Sequence, residues 1–213
     1  GLTVDDIIST WSGVRPVVSA GDGSDPSKES RSHSVWDDRG LITVTGGKLT
    51  TFRLIALDAL KLAGHYLGLT VHDTREAVFG APQPGPQPEG MTAPVFARLV
   101  ARYGIHARAF LVQMPAAELV PVADTTTLLA ELRWACRHEQ VVHLDDLMLR
   151  RVRLGILLPG GALAAVPTLD ALLAEELGWD ADRIAAERVR YLDIWQRYYH
   201  LPAAVTTGSP RES

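Results

Sequence analysis

Along residues 32–62 the spacing of apolar and polar positions changes period. Two short β-like runs, SHSVW at 32–36 and LITVT at 41–45, flank the turn-forming Asp37-Asp38-Arg39-Gly40, a pattern that predicts a hairpin. Gly46, Gly47 and Lys48 follow. The period then shifts to a helical one, with Leu54, Ile55, Ala59 and Leu62 on a single stripe and Thr50 or Thr51 available as a cap. Prolines at 82, 84, 86 and 88 block both helix and central strand, so residues 80–90 read as an extended linker. Beyond Met91 nearly every stretch is helical in period. Helices are predicted over 92–104 (Phe96, Leu99, Val100, Tyr103), over 125–142 after a capping Asp124, and over 145–158 (Leu147, Met148, Val152, Ile156). Two more are predicted over 168–177, ending near Gly178, and over 181–200 after Asp180, with Ile184, Tyr191, Leu192, Trp195 and Tyr199 facing inward. The fold class is therefore mainly α, a short β-hairpin and helix followed by an all-α bundle. The expected divisions are 1–79, the linker 80–90, the helical domain 91–202 and a disordered tail 203–213.

Composition narrows the function classes. A chain of 213 residues with 46% hydrophobic and 22% charged residues is an ordinary globular composition able to bury a core. The net charge of −4 offers no basic face for nucleic acid. No apolar run reaches the length of a membrane span, and the start carries no signal-peptide pattern. The single cysteine, Cys136, rules out an intrachain disulfide and a cysteine-ligated cluster within this segment, and favours a reducing cytoplasmic setting. Gly1-Leu2-Thr3 runs directly into structured-looking sequence, which reads as part of a longer protein.

The junction at Gly46–Thr51 is the strongest chemical signal. Glycines there admit positive φ and a close neighbour, and a helix starting at Thr50 or Thr51 aims free N–H groups and the positive end of its dipole at what lies beyond. The same residues also spell a strand, a turn and a capped helix with nothing bound, and both readings stay open at this point. A P-loop is excluded because position 42 is Ile and position 49 is Leu, and Gly21-Asp22-Gly23 runs into Pro26 where a dinucleotide fingerprint needs its third glycine. Arg15, held extended before Pro16, and Arg31, just before the hairpin, add forked donors suited to phosphate. His138 and His143 are five residues apart, about 500° around a helix, so they do not form a zinc pair and no metal is expected. Arg150-Arg151 after Asp145-Asp146 read as structural ion pairs, and Trp134, Trp179 and Trp195 as core.

Taken in order, TWSGVRPVV, DPSKESRSH and GLITVTGGKLTTFRLIALDAL resemble the distal half of FAD-dependent glycerol-3-phosphate dehydrogenases. HEQVVHLDDLMLRRVRLGIL is similar to the helical C-terminal domain that follows in that family. The resemblance implies that residues 1–79 are the end of an FAD/substrate domain, with Gly46, Gly47, Lys48, Leu49, Thr50 and Thr51 at the flavin. It implies Lys48 beside flavin and substrate, and Arg15 and Arg31 at the phosphate of glycerol 3-phosphate. The reaction implied is hydride transfer from the carbinol carbon to flavin N5, giving dihydroxyacetone phosphate. Phe52 stands where many members have tyrosine. The family's GxGxxG and its histidine base do not occur in this sequence, so the chain alone is expected neither to hold FAD nor to turn over. Its implied partners are the N-terminal FAD-binding half of the same protein and glycerol 3-phosphate. A second protomer and a quinone at the inner membrane face are further candidates, with quinone or oxygen as electron acceptor. The alternative is a non-catalytic helical interaction domain in residues 91–213, docking an oligomer partner or electron acceptor.

Overall fold

The computed structural model describes residues 1–14 and 32–201. Arg15, Arg31 and the tail 203–213 lie outside them. The described residues fall into two units: Gly1–Trp11 with Phe79 onward, and Ser12–Val78. The first eleven residues thus group with the helices, where 1–79 was expected to hold together. Ser9 Oγ donates to the Ile156 carbonyl at 2.8 Å and the Thr10 N–H to the Tyr199 carbonyl at 2.7 Å.

The smaller unit contains β1 (His33–Asp38) and β2 (Leu41–Gly46), paired antiparallel with Val35 opposite Val44 and His33 opposite Gly46. The two-residue turn Arg39-Gly40 has positive φ at both positions, 53° and 92°, the twist that matches a tight hairpin. Helix α1 (Phe52–Leu67) follows. Among the described residues of this unit only Gly64 is buried. Polar ties supplement the packing: Tyr66 with Asp37, and Arg53 with Asp73 at 2.6 Å.

The helical unit is all-α, as its period predicts. It contains α2 (Ala93–Tyr103), α3 (Ala107–Gln113), α4 (Leu129–His138), α5 (Leu154–Leu157), α6 (Leu169–Leu177) and α7 (Ala181–Tyr198). Helix α4 is its axis, with Ala130 to Cys136 all buried. One face, through Ala130 and Trp134, packs with Leu99, Tyr103 and Phe110 of α2 and α3. The other, through Leu132 and Ala135, packs with Leu144, Leu169, Leu173 and Tyr191. Trp134, Trp179 and Trp195 are core residues, as expected.

Two predicted helices are shorter than their period suggested. The stretch before Leu129 is a turn closed by an isolated antiparallel bridge between Pro121 and Leu128: the Val122 N–H bonds to the Thr127 carbonyl and the Leu129 N–H to the Val120 carbonyl. Asp124 therefore caps nothing, and the helix begins at 129 rather than 125. The expected helix 145–158 is a π-helical turn, Asp146–Arg151, and then the short α5. Between them Arg153 has φ 60°, a left-handed conformation that breaks the helix. The break lets Gly155 pass against Tyr191; a Cβ at 155 would lie 2.2 Å from the Tyr191 hydroxyl. Asp180 does cap α7, its Oδ1 accepting from the Arg183 N–H at 2.8 Å.

Two buried charges on α4 face opposite neighbours. Glu131, fully buried, accepts from Arg98 at 2.6 Å, from the Tyr103 hydroxyl at 3.1 Å and from the Leu128 N–H at 2.8 Å, and pairs with Arg102 at 3.3 Å. Arg133 donates to Glu118 at 2.7 Å, and pairs with Glu175 at 2.9 Å and with Glu176. Removing one partner of a buried pair typically costs about 3–5 kcal/mol. Arg98 and Arg102 retain some solvent access, 27% and 28% of the side chain, so the cost should sit at the low end. Glu131→Gln is therefore expected to lower stability by about 3 kcal/mol, read as the shift in urea midpoint of the helical unit.

Candidate functional site

The hairpin unit carries the junction singled out above. Gly46 (φ 74°) and Gly47 (φ 81°) turn the chain off the sheet into the extended Lys48, and a single 3-10 turn, Leu49–Thr51, leads straight into α1. Gly47 is required for more than its φ. A Cβ there would come 2.6 Å from Ile55 Cδ1 and 3.1 Å from His33 Cβ, so the space is filled by the chain itself and not left for a ligand. Thr51 occupies the N-cap position of α1, but its hydroxyl caps no helical N–H. It donates to the Lys48 carbonyl at 2.9 Å and accepts from the Lys48 N–H at 3.3 Å. The expected threonine cap is thus a clasp on Lys48. The N–H groups of Leu49 and Thr50 open the helical run and have no carbonyl within it to meet.

A cleft of about 390 Å³ lies against this turn, lined by Ser32, His33, Lys48, Thr51 and Leu54. Among the described residues no carboxylate pairs with the exposed Lys48. A second cleft, about 350 Å³, is lined by His33, Val35, Asp58, Lys61, Leu62 and His65. His33 borders both. Its Nε2 lies 2.9 Å from Asp58 Oδ2, and Lys61 Nζ donates to Asp58 Oδ1 at 3.1 Å. The hydrogen bond from His33, and then that from Lys61, hold the Asp58 carboxyl below its ordinary value.

Of the residues predicted from sequence, Lys48 and Thr51 line one cleft. Gly46 and Gly47 shape its turn, while Leu49 and Thr50 are exposed beside it and do not line it. Arg15 and Arg31 fall outside the described residues. Sequence reasoning passed over His33 and Asp58. The strand period places His33 on the same face as Val35, and Asp58 lies four residues beyond Leu54 on α1, the only signals available.

The other tempting groups are structural. Arg150 pairs with Asp145 and, at 3.4 Å, with Asp146, and Arg190 also reaches Asp145. Arg151 donates to the Glu139 carbonyl at 2.6 Å. His138 packs on Trp134 with ring centres 4.0 Å apart, and His143 Nδ1 lies 2.8 Å from Glu187. Among the described residues no group of three or more His, Cys, Asp and Glu side chains is placed to hold a metal, and no helix is long and apolar enough to cross a membrane. Burial pushes the Cys136 thiol up to about 12, so it is no nucleophile.

A family model described as the C-terminal domain of alpha-glycerophosphate oxidase matches residues 55–184. The chain belongs to that family. It is also 34% identical over 163 residues to glycerol-3-phosphate dehydrogenase 1 of Mycobacterium bovis, covering 71% of this chain and 31% of the relative. It is 30% identical over 206 residues to glycerol-3-phosphate dehydrogenase of Mycobacterium leprae, covering 89% and 35% respectively. To the mitochondrial glycerol-3-phosphate dehydrogenase of Bos taurus it is 30% identical over 195 residues, covering 82% and 26%. The chain thus spans about a third or less of the length of these relatives. The family match begins within α1 and ends at the start of α7, so it takes in the helical unit as far as Ile184 and not the clefts' strand side.

Because the folded Asp58 carboxyl lies below its unfolded value of about 3.9, its contact stabilises fully above that value and is lost as pH falls through the lowered one. Hydrogen-exchange protection of β1 and α1, corrected for intrinsic rates, should hold down to about pH 4 and drop below it. Asp58→Asn should remove that acid-dependent part of the drop.

Proposed function

We propose that the chain is the C-terminal portion of an FAD-dependent glycerol-3-phosphate dehydrogenase that oxidises sn-glycerol 3-phosphate to dihydroxyacetone phosphate. The observation that carries the reading is Lys48. It stands unpaired among the described residues at a helical start, on a cleft it shares with Thr51 and His33. The names of the relatives point to the same substrate. On this reading residues 1–79 complete the FAD/substrate domain and 91–202 form the C-terminal helical domain. The N-terminal FAD-binding half of the same protein is the partner. The setting is cytoplasmic, peripheral at the membrane if quinone is the acceptor.

The residues present fit the cofactor in their donor chemistry. Free N–H groups at Leu49 and Thr50 and the Lys48 ammonium are all donors, which suits an anionic ring edge and not a cationic one. Bound FAD would supply the hydride acceptor. Gly46 and Gly47 set the turn that aims these donors, and the Thr51 clasp holds the Lys48 backbone in place. The helix start contributes about 0.3–2 kcal/mol toward the more negative state of what it faces, with Lys48 adding a full charge. Arg15 and Arg31 would grip the substrate phosphate with charge-assisted bonds.

Two measurements test this in the full-length enzyme. Lys48→Ala should lower the flavin midpoint potential and slow its reduction by substrate; if neither changes, Lys48 is an ordinary surface residue. Arg15→Ala or Arg31→Ala should cut the ratio of kcat/KM on glycerol 3-phosphate to that on glycerol. The cost of losing a buried charged partner, about 2–5 kcal/mol, corresponds to tens- to thousands-fold. Lysine at either position should rescue only in part, because a point charge does not reproduce the fork. A ratio unmoved with FAD still bound would place the phosphate elsewhere.

A further inference from the structure

His33 borders the Lys48 cleft on one side and the Asp58 cleft on the other. Its side chain is mostly enclosed, 22% exposed, yet it opens on both. The backbone fixes where the ring stands. His33 pairs with Gly46 across the hairpin, and its Cβ lies 3.1 Å from where a Gly47 Cβ would be, so the ring is carried on the same turn that presents Lys48.

The partners decide which nitrogen is which. An ionised carboxylate only accepts, so the 2.9 Å contact with Asp58 requires the proton on Nε2. In the neutral ring that leaves Nδ1 bare, a hydrogen-bond acceptor. Among the described residues, the charged or titratable groups that share a cleft with the ring are Asp58, Lys61 and His65 from α1 and Lys48 from the turn. Asp58 is shared with Lys61, which fixes the carboxylate from its far side at 3.1 Å. Lys48 and His33 line one cleft, and a cation beside an imidazole suits a ligand that carries an anionic group and a hydroxyl on one short chain.

We propose that His33 is a ligand-binding residue of the Lys48 cleft and Asp58 its positioning residue: Asp58 holds Nε2–H, and bare Nδ1 accepts a hydrogen bond from a hydroxyl of a polyol phosphate bound beside Lys48. This deepens the proposed function and rests on it. The rival account is a purely structural tie, in which the His33–Asp58 bond only fastens β1 to α1.

Two amide substitutions separate the accounts, because each keeps a different half of the imidazole. His33→Asn places an oxygen acceptor near Nδ1 but cannot reach Asp58. His33→Gln keeps an N–H donor near Nε2, in reach of Asp58, but offers no acceptor at the δ position. In the full-length enzyme, His33→Gln should raise KM for glycerol 3-phosphate about tenfold, the worth of one lost hydrogen bond, with kcat and FAD content little changed. His33→Asn should recover most of that loss despite a lower Tm. The opposite order, Gln behaving as wild type and Asn failing, would overturn the proposal in favour of the structural tie. Equal KM values in all three proteins would overturn it as well.

Should the wild-type enzyme not oxidise glycerol 3-phosphate at all, the functional reading falls, and His33 is then judged on the 213-residue chain itself. Ring nitrogen-15 spectra in alkaline buffer should show the proton on Nε2. Added glycerol 3-phosphate should move the Nδ1 resonance, and inorganic phosphate, which lacks a carbon-borne hydroxyl, should not. A proton found on Nδ1, no shift with glycerol 3-phosphate, or an equal shift with phosphate would each refute the assignment.

Discussion

The helical unit depends on a constraint at α4: a helix buried on every side must also bury its charges. Glu131 and Arg133 are two positions apart, so they point in different directions, and each is answered by a different neighbour. Glu131 is met by Arg98, Arg102 and Tyr103 of α2, and Arg133 by Glu118 and by Glu175 and Glu176 of α6. Apolar contacts alone would let α2 and α6 slide along α4. A carboxylate that needs several donors at once does not permit that, because any shift strands a buried charge. Glu131 also takes the N–H of Leu128, so the same side chain that orients α2 sets where α4 begins.

The hairpin unit is built on the opposite principle. With one buried residue among those described, it has little core to define it, and specific polar contacts take over. His33 to Asp58 and Tyr66 to Asp37 each tie the hairpin to α1 at one point, and the Thr51 clasp fastens Lys48 within its own turn. Such a frame suits a binding edge. Its described side chains are mostly exposed or half-buried, and the turn that carries Lys48 is held by close packing of Gly47 on Ile55 and His33.

Much of this was legible in the chain. The hairpin, its Arg39-Gly40 turn, the helix after Thr51, the Asp180 cap and the tryptophan core follow from period, turn chemistry and capping, all of which act over a few residues. The starts and breaks that were not legible share a cause. Residues 125–128, Thr-Thr-Thr-Leu, stand at the start of the apolar helical stretch, yet this β-branched run turns back toward Val120 and Val122 and sends Leu128 into the α2 side of the core. The helix expected over 145–158 breaks at Arg153 because Gly155 must meet Tyr191, which lies 36 residues further along the chain.

At the candidate site the division is similar. The sequence by itself determined that a glycine turn, a lysine and a helix start stand together, since these are neighbours along the chain and local rules govern them. It could not determine what fills the space beside Gly47, nor that the Thr51 hydroxyl turns back to Lys48. Only the tertiary structure decided that His33 meets Asp58. Strand period gives the face of His33 and helix period the face of Asp58, but the distance between those faces depends on how α1 lies across the hairpin. Packing settles that, through contacts between residues 25 positions apart that no local pattern encodes.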